Sequence, residues 1–182
     1  MLASQDGYLG VVQALLAAGA NVNATNTTER RTTALIQASQ EGQVNVVSAL
    51  LEAGADVNYA GPDEATALVM AIQNQHIATL KRLVLAGANV DTIDSGFSML
   101  MIAVLRGNLE IVRCLCDNGA DIFDAIVDGD KSIDALLLAS LRGNVDIVEF
   151  LVSRGVTGEQ SLAKALSFAT HPDIIAVLQS LV

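Results

Sequence analysis

Two stretches of the chain share one pattern, and this pattern decides the fold. "LRGNLEIVRCL" begins at Leu105, and "LRGNVDIVEFL" begins at Leu141, 36 residues later. Each contains a Gly-Asn dipeptide, which is typical of a tight turn, followed by apolar residues at the spacing of one helix face. The pattern therefore predicts a turn that leads into an amphipathic helix, and its recurrence indicates a repeat protein.

The repeat extends along the whole chain. A glycine followed by Ala or Val recurs in steps of 35, 33, 32 and 36 residues, at Gly19, Gly54, Gly87, Gly119 and Gly155. Twelve residues before each of them lies a predicted turn position, occupied by Gly7, Gly42, Gln75, Gly107 and Gly143. A fixed inner spacing combined with a variable outer spacing predicts folded blocks that are joined by connectors tolerant of insertion.

Each block is predicted to contain two short helices. "TALIQASQEG" (Thr33 to Gly42) begins with a hydroxyl residue that can cap a helix and continues for about two apolar turns. "QVNVVSALLEAGA" (Gln43 to Ala55) has apolar residues at helical spacing. Helices this short are unstable alone in water, so the pairs must bury their faces against one another. The connector "DVNYAGPDEAT" (Asp56 to Thr66) predicts an extended, turn-rich finger.

The motifs "TALIQA" and "TALVMA", together with "GANVN" from Gly19 and "GADVN" from Gly54, resemble the ankyrin repeat family and its T-P-L-H-x-A motif. The resemblance implies an all-α fold, a solenoid of stacked helix-turn-helix pairs with β-turn or hairpin fingers. It covers nearly the whole chain as a single array over residues 1–182. The expected divisions are a partial repeat 1–25, full repeats at about 26–60, 61–92, 93–124 and 125–157, and a degenerate C-terminal repeat 158–182.

The ends of the chain and its cysteines give two further expectations. Ala3 already corresponds to the middle of a first helix, which favours a segment of a longer protein. Cys114 and Cys116 lie two residues apart on a predicted helix, so their side chains diverge by roughly 200° and are not expected to pair. They are interpreted as small core residues in a reducing compartment.

Charge and hydropathy restrict the classes of partner. The net charge is -10, which argues against nucleic acid as the main partner, because such binding depends on neutralising phosphates with Lys and Arg. No apolar run reaches the roughly 18 residues of a membrane span, and the start, "MLASQDGYLG", does not resemble a signal peptide. We therefore expect a cytoplasmic, monomeric protein without a membrane partner.

The sequence shows no arrangement that is typical of an enzyme. It has two histidines, no glycine-rich phosphate loop and no serine nucleophile elbow, so we expect no catalytic residues and no cofactor. The segment "DGDKSID" (Asp128 to Asp134) lacks the Gly and the bidentate Glu of a calcium loop, and no metal site is predicted. Together with Asp117, Asp121 and Asp124 it is interpreted as an acidic finger.

The resemblance implies a protein partner that contacts the finger tips and the concave face of the first helices. The residues just before the turns then become candidates: Gln40 and Gln73 near the N-terminal end, and Leu105, Arg106, Leu141 and Arg142 near the C-terminal end. In the alternative interpretation the leucines are half-buried and the arginines pair with Asp124, Asp128 and Asp130. The finger candidates are Arg30, Arg31, Tyr59 and Phe97, although Arg30 could be salt-paired and Phe97 could pack under its own finger.

These features predict a protein–protein interaction module that acts as an adaptor or scaffold. The alternative is a regulatory or targeting domain, either of a larger enzyme or of a bacterial protein that is delivered into host cells. The sequence does not distinguish between these origins.

Overall fold

A computed structural model describes residues 1–27, 29, 31–62, 64–128 and 131–181, with the side chains of Asp128 and Lys131 excepted. The candidate Arg30 lies outside the described residues. The chain is built from helix pairs, in which a tight turn joins an inner helix to an outer helix. It divides into two compact units, Met1–Asp94 and Ser95–Val182.

The first unit contains three helix pairs within its described residues, followed by a short strand. The elements are α1 (Leu2–Gln5) with α2 (Leu9–Ala17), α3 (Ala34–Gln40) with α4 (Val44–Glu52), α5 (Ala67–Gln73) with α6 (Ile77–Leu85), and β1 (Ile93–Asp94). Inner helices pack on inner helices and outer helices on outer helices, so that α3 lies between α1 and α5, and α4 lies between α2 and α6.

The second unit repeats this arrangement and adds a hairpin. Its described elements are β2 (Phe97–Ser98), α7 (Met99–Leu105) with α8 (Leu109–Asp117), β3 (Ala125–Asp128), β4 (Lys131–Asp134), α9 (Ala135–Arg142) with α10 (Val145–Ser153), and α11 (Glu159–Phe168) with α12 (Pro172–Gln179). Strands β3 and β4 are antiparallel, with Ala125 opposite Asp134 and Asp128 opposite Lys131. The predicted fold class, stacked helix pairs with hairpin fingers, is confirmed.

Side-chain oxygens start the inner helices. Thr33 Oγ1 accepts a hydrogen bond from the Ile36 amide at 3.3 Å, so the cap predicted at Thr33 is confirmed. The same position of later pairs is occupied by residues that act alike, namely Thr66, Ser98 and Asp134. Asp134 has a second role, because its other oxygen accepts a hydrogen bond from Ser161 Oγ on α11 at 2.7 Å.

Left-handed residues end the inner helices. The turn positions predicted from the spacing have φ between +60° and +78°, at Gly7, Gly42, Gln75, Gly107 and Gly143. Such values are readily adopted by glycine and cost other residues about 1 kcal/mol or more, which explains the glycines and makes Gln75 the exception. The next amide hydrogen-bonds to an alanine carbonyl, as Gln43 N does to Ala38 O at 2.9 Å.

Small and aliphatic side chains form the core. Ala38, Ala71, Ala103 and Ala139 occupy one position of the inner helices and are fully buried. Their size lets neighbouring inner helices approach closely, while leucines such as Leu68 and Leu136 fill the space between the layers. This packing explains how a chain with only 3% aromatic residues forms a core within each unit.

Candidate functional site

Two asparagines connect successive fingers of the first unit. Asn23 Nδ2 donates to Gly54 O at 3.2 Å, and Asn23 Oδ1 accepts from the Asp56 amide at 2.8 Å. Asn58 makes the same two bonds to the following finger, at 3.2 Å to Gly87 O and 2.8 Å from the Asn89 amide. We call these four bonds the asparagine ladder. Because each asparagine both donates and accepts, it fixes the position of the next finger.

A second set of contacts joins the turns of neighbouring pairs. Gln43 Nε2 donates to Gln5 O at 3.2 Å, and His76 Nε2 donates to Gln40 O at 2.9 Å. In the second unit, Asn144 Nδ2 donates to Val104 O at 3.2 Å. The residue that follows the turn therefore satisfies a backbone carbonyl at the end of the preceding inner helix. These are the turn contacts.

Most candidate residues of the first unit have polar partners within the chain. Gln40 Nε2 donates to Glu41 at 3.0 Å, and Gln73 Nε2 donates to Asp94 Oδ2 at 2.6 Å. The hydroxyl of Tyr59 donates to Arg31 O at 2.9 Å, so this ring braces the preceding finger. The Arg31 side chain is exposed, and its backbone is left-handed with φ of 45°.

The candidates of the second unit lie at the ends of two adjacent inner helices. Arg106 follows α7 and Arg142 ends α9, and both side chains are exposed. Neither guanidinium has an ion-pair or hydrogen-bond partner among the residues that the structure describes. Leu105 is half-buried and Leu141 is 50% exposed. We call these four residues the arginine patch.

The alternative interpretation pairs the two arginines with Asp124, Asp128 and Asp130 of the acidic finger. Asp124 does not contact either guanidinium, whereas the side chains of Asp128 and Asp130 lie outside the described residues. A groove of about 310 Å³ is lined by the turn residues Gly107 and Gly143, which directly follow Arg106 and Arg142 in the chain, and by the start of α10.

Two exposed apolar residues of the second-unit finger are absent from the sequence-based candidates. Phe123 is 64% exposed and Val127 is 70% exposed. The repeat spacing could have indicated Phe123. It lies four residues after Gly119, the position that Asn23 and Asn58 occupy after Gly19 and Gly54 in the first unit. Phe97, which was a candidate, is half-buried.

Asp117 does not belong to the acidic finger. It lies on α8 and forms an ion pair with Arg154. The Cζ atom of Arg154 also lies 4.8 Å from the centre of the Phe150 ring, over which its guanidinium stacks. Arg113 stacks on the same ring at 4.5 Å. The sequence-based grouping was wrong at this residue, because the helix continues through Asp117 before the finger begins. Arg113 and Arg154 therefore have partners within the chain, whereas Arg106 and Arg142 have none among the described residues.

Burial makes one of the two cysteines unreactive. Cys114 and Cys116 form no disulfide bond and are both half-buried, as expected for side chains that diverge on one helix. Burial raises the pKa of the Cys116 thiol to about 11, and the nearby Arg154 opposes this shift only in part. The thiol is therefore protonated at neutral pH, and only the thiolate is reactive.

The described residues provide neither a metal-ligating cluster nor a membrane-spanning helix. Within them, no group of three or more His, Cys, Asp or Glu side chains is placed to hold a metal ion. The described helices also include none with the length and apolar character needed to cross a membrane.

Comparison with known proteins identifies the family. The family model described as ankyrin repeats (3 copies) matches residues 1–94, 59–126, 79–162 and 100–181, and so almost the entire chain. None of the curated proteins matches the sequence significantly. The matched ranges contain the helix pairs, the left-handed turns and both sets of contacts between pairs. The chain therefore belongs to the ankyrin repeat family, whose members are in general protein–protein interaction modules.

Proposed function

We propose that this chain is an adaptor or scaffold that binds a protein partner through the arginine patch. One observation carries the proposal: Arg106 and Arg142 occupy the same position in neighbouring helix pairs, and both are exposed without a described partner in the chain. The sequence has 20 acidic and only 10 basic residues, so acidic partners for an arginine are abundant. Two arginines that have no partner among the described residues of such a chain support a role toward another molecule.

The arginines of the outer helices provide the contrast. Arg82 Nη2 lies 3.1 Å from Glu52 Oε1, and Arg82 Nε donates to Ser48 Oγ at 3.0 Å. Arg154 pairs with Asp117. These side chains link neighbouring outer helices within one unit. Among the described residues the patch arginines make no comparable link, which favours a role for them outside the fold.

The chemistry of the patch favours one class of partner. A guanidinium binds a carboxylate through two parallel hydrogen bonds, and arginine is enriched among residues that dominate interface energies. Beside the arginines, the half-exposed Leu141 offers apolar area that a partner would bury. The expected partner is a protein segment that carries acidic residues close to an apolar one.

Peptide display tests the proposal without requiring the natural partner. A random peptide library would be selected on the intact chain, and we expect enrichment of sequences that combine Asp or Glu with an aliphatic residue. Arg106→Glu with Arg142→Glu should weaken the selected peptides roughly 30-fold or more, because losing a hot-spot residue costs about 2 kcal/mol or more. Isothermal titration calorimetry measures the affinity.

A variant with the same change in net charge is the control. Lys81→Glu with Lys164→Glu alters the charge equally but leaves the patch and the finger candidates unchanged, so the affinity should stay within about threefold. Thermal unfolding of both variants should resemble that of the parent chain. Equal weakening by both variants would reduce the effect to net charge, and undiminished binding by the patch variant would contradict the proposed site.

A further inference from the structure

The hairpin of the second unit exposes two apolar side chains. Strands β3 and β4 contain four residues each, whereas β1 and β2 contain two. Val127 on β3 is 70% exposed, and Phe123, two residues before β3, is 64% exposed. We call these two side chains together with the backbone of β3 the hairpin edge. Single exposed apolar residues are common, but these two accompany a strand whose backbone is also open.

The backbone of β3 has hydrogen-bonding groups that the hairpin does not use. In an antiparallel pair, every second residue directs its N–H and C=O at the partner strand, and the residues between direct theirs away. In the described chain, β4 is the one strand paired with β3. Among the described residues, Ala125, Ile126 and Val127 make no backbone hydrogen bond outside the hairpin. The outward groups of β3 can therefore pair with another strand.

The partner strand β4 is less open than β3. Its sequence begins with Lys131, and a lysine on an edge strand opposes the addition of another strand. At its other end, Asp134 Oδ1 accepts a hydrogen bond from the Leu137 amide at 2.8 Å, and Asp134 Oδ2 accepts one from Ser161 Oγ at 2.7 Å. These bonds hold the end of β4 against α9 and α11, so β3 is the edge at which a partner strand is expected.

The packing of the hairpin does not require an apolar residue at Val127. Ile126 lies opposite Ile133 on one face, and both are half-buried. Val127 lies opposite Ser132 on the other face. Natural edge strands are often protected by charged residues, but β3 has none before Asp128. An exposed valine on such a strand favours contact with another molecule.

The charge around the hairpin edge restricts its occupant. Residues 120–134 contain five aspartates, one lysine and no arginine. On the approach to β3, Asp121 is exposed and Asp124 is half-buried. Like charges on paired strands are destabilising, whereas opposite charges across an interface attract. A second copy of the hairpin would bring five further aspartates, so the occupant that fits is a basic segment of a different protein.

We propose that β3 binds an extended segment of a partner protein in which lysine or arginine alternates with apolar residues. The segment adds to β3 as a third strand, so that its backbone bonds to the outward groups of β3. Its apolar side chains cover Phe123 and Val127, and its basic side chains lie near Asp121 and Asp124. The inference does not depend on the arginine patch, which is proposed to bind a segment of the opposite charge.

An alternating peptide provides a defined probe. Acetyl-Lys-Val-Lys-Val-Lys-Val-Lys-amide has the required pattern and is long enough to pair with all of β3. Titration into the isotopically labelled chain, followed by NMR, should shift the amide resonances of Ala125, Ile126 and Val127 in a saturable manner. The same peptide with serine in place of valine keeps the charge, and it should bind at least about tenfold more weakly, because it lacks the apolar contacts.

Methylation of the peptide backbone distinguishes strand addition from contact through side chains alone. In an extended peptide, the valine amides point to one side and the lysine amides to the other. Methylating the set that faces β3 should abolish saturable binding, whereas methylating the other set should change the affinity by less than about threefold. If both methylated peptides bound equally well, the segment would not add to β3 as a strand, and the inference would be wrong.

Substitutions in the chain test the apolar part of the hairpin edge. Phe123→Ser with Val127→Ser should weaken binding of the valine peptide about tenfold or more, because both side chains lose their apolar contacts with it. Leu85→Ser with Ile93→Ser is the matched control, since Leu85 is 79% exposed and Ile93 is 54% exposed in the first unit. In this control the affinity should stay within about threefold.

Substitution of the aspartates tests the charge. Asp121→Asn with Asp124→Asn should weaken binding of the valine peptide about three- to tenfold. The amide oxygen introduced at position 121 can still accept from the Phe123 amide, as Asp121 Oδ1 does at 2.8 Å. Arg106→Glu with Arg142→Glu should leave the affinity undiminished, which separates this site from the arginine patch.

Three further results would overturn the inference. Absence of saturable shifts at millimolar peptide would show that β3 does not accept a strand. Equal weakening by the Phe123 and Val127 serine variant and by its matched control would show that the hairpin edge is not the site. Self-association of the parent chain in sedimentation, lost in the same serine variant, would make a second copy the occupant. Shifts confined to β3 that depend on the valines and on one set of peptide amides would support a site for a basic strand.

Discussion

The two units use equivalent positions in different ways. Asn23 and Asn58 of the first unit lie four residues after Gly19 and Gly54. Each of them makes two hydrogen bonds to the next finger. The second unit has Phe123 at this position, with its ring exposed. The Thr157 amide, which corresponds to the amide that Asn23 binds, instead donates to Gly155 O at 2.8 Å within its own turn.

The same contrast holds at the ends of the inner helices. One residue before its turn, Asn74 of the first unit donates to Met70 O at 2.9 Å, whereas Arg142 at the same place in the second unit has no described partner. The comparison teaches that a position which makes structural bonds in one repeat can lack them in another, provided that buried packing carries the fold. Because the asparagine ladder lies in the first unit and the proposed binding patch in the second, substitutions should separate stability from binding.

The largest effect is expected at the turns. Gly42→Ala should cost about 2–4 kcal/mol of unfolding free energy, because a left-handed alanine is strained and its Cβ meets the His76 ring. A Cβ added at Gly42 would lie 2.6 Å from His76 Nδ1. In the second unit, Gly143→Ala has a similar φ of +71° but open space around the Cβ, and should cost only about 1–2 kcal/mol. Urea denaturation measures both, and equal costs would refute the role of the His76 contact.

The asparagine ladder should give the next largest effect. Asn58→Ala removes both bonds to the following finger and should cost about 1–2 kcal/mol, since each bond contributes about 0.5–1.5 kcal/mol. Asn58→Asp keeps the acceptor for the Asn89 amide but loses the donor to Gly87 O, so it should cost about half as much. A loss below about 0.5 kcal/mol for the alanine variant would show that the ladder is energetically neutral.

The smallest effect should come from rebuilding the ladder in the second unit. Phe123→Asn places an amide where it can reach Gly155 O and the Thr157 amide, and it should raise the unfolding free energy by about 0.5–1 kcal/mol. Phe123→Ala is the matched control, because it removes the exposed ring without adding the amide and should be nearly neutral. If the two variants were equally stable, the second-unit finger could not form the ladder, and the two units would differ by more than one residue.

The sequence was sufficient for the helices and turns because these depend on local chemistry repeated at fixed intervals. The cap at Thr33 and the left-handed turn at Gly42 follow from residue type and spacing. Even the turn at Gln75 was located by its register, although glutamine is a poor residue for that conformation.

The partners of the fingers could not be predicted in the same way. The bond from Tyr59 to Arg31 O and that from Gln73 to Asp94 join residues whose relative position depends on how each irregular finger folds. The asparagine ladder was also missed, although Asn23 and Asn58 recur within "GANVN" and "GADVN". A repeated residue signals a shared role, but its partner becomes known only when two repeats are placed side by side.

The spacing of the side-chain hydrogen bonds between pairs also has a kinetic consequence. The bonds of the asparagine ladder and the turn contacts join residues separated by 29 to 40 positions, from Asn58 to Gly87 at one limit and from Asn144 to Val104 at the other. Each pair can therefore acquire its native neighbour by closing one loop of modest length, and folding can nucleate at any stable pair and propagate in either direction. Unfolding should likewise start at an end and pass through partly folded arrays, so rapid mixing experiments should reveal more than one exponential phase.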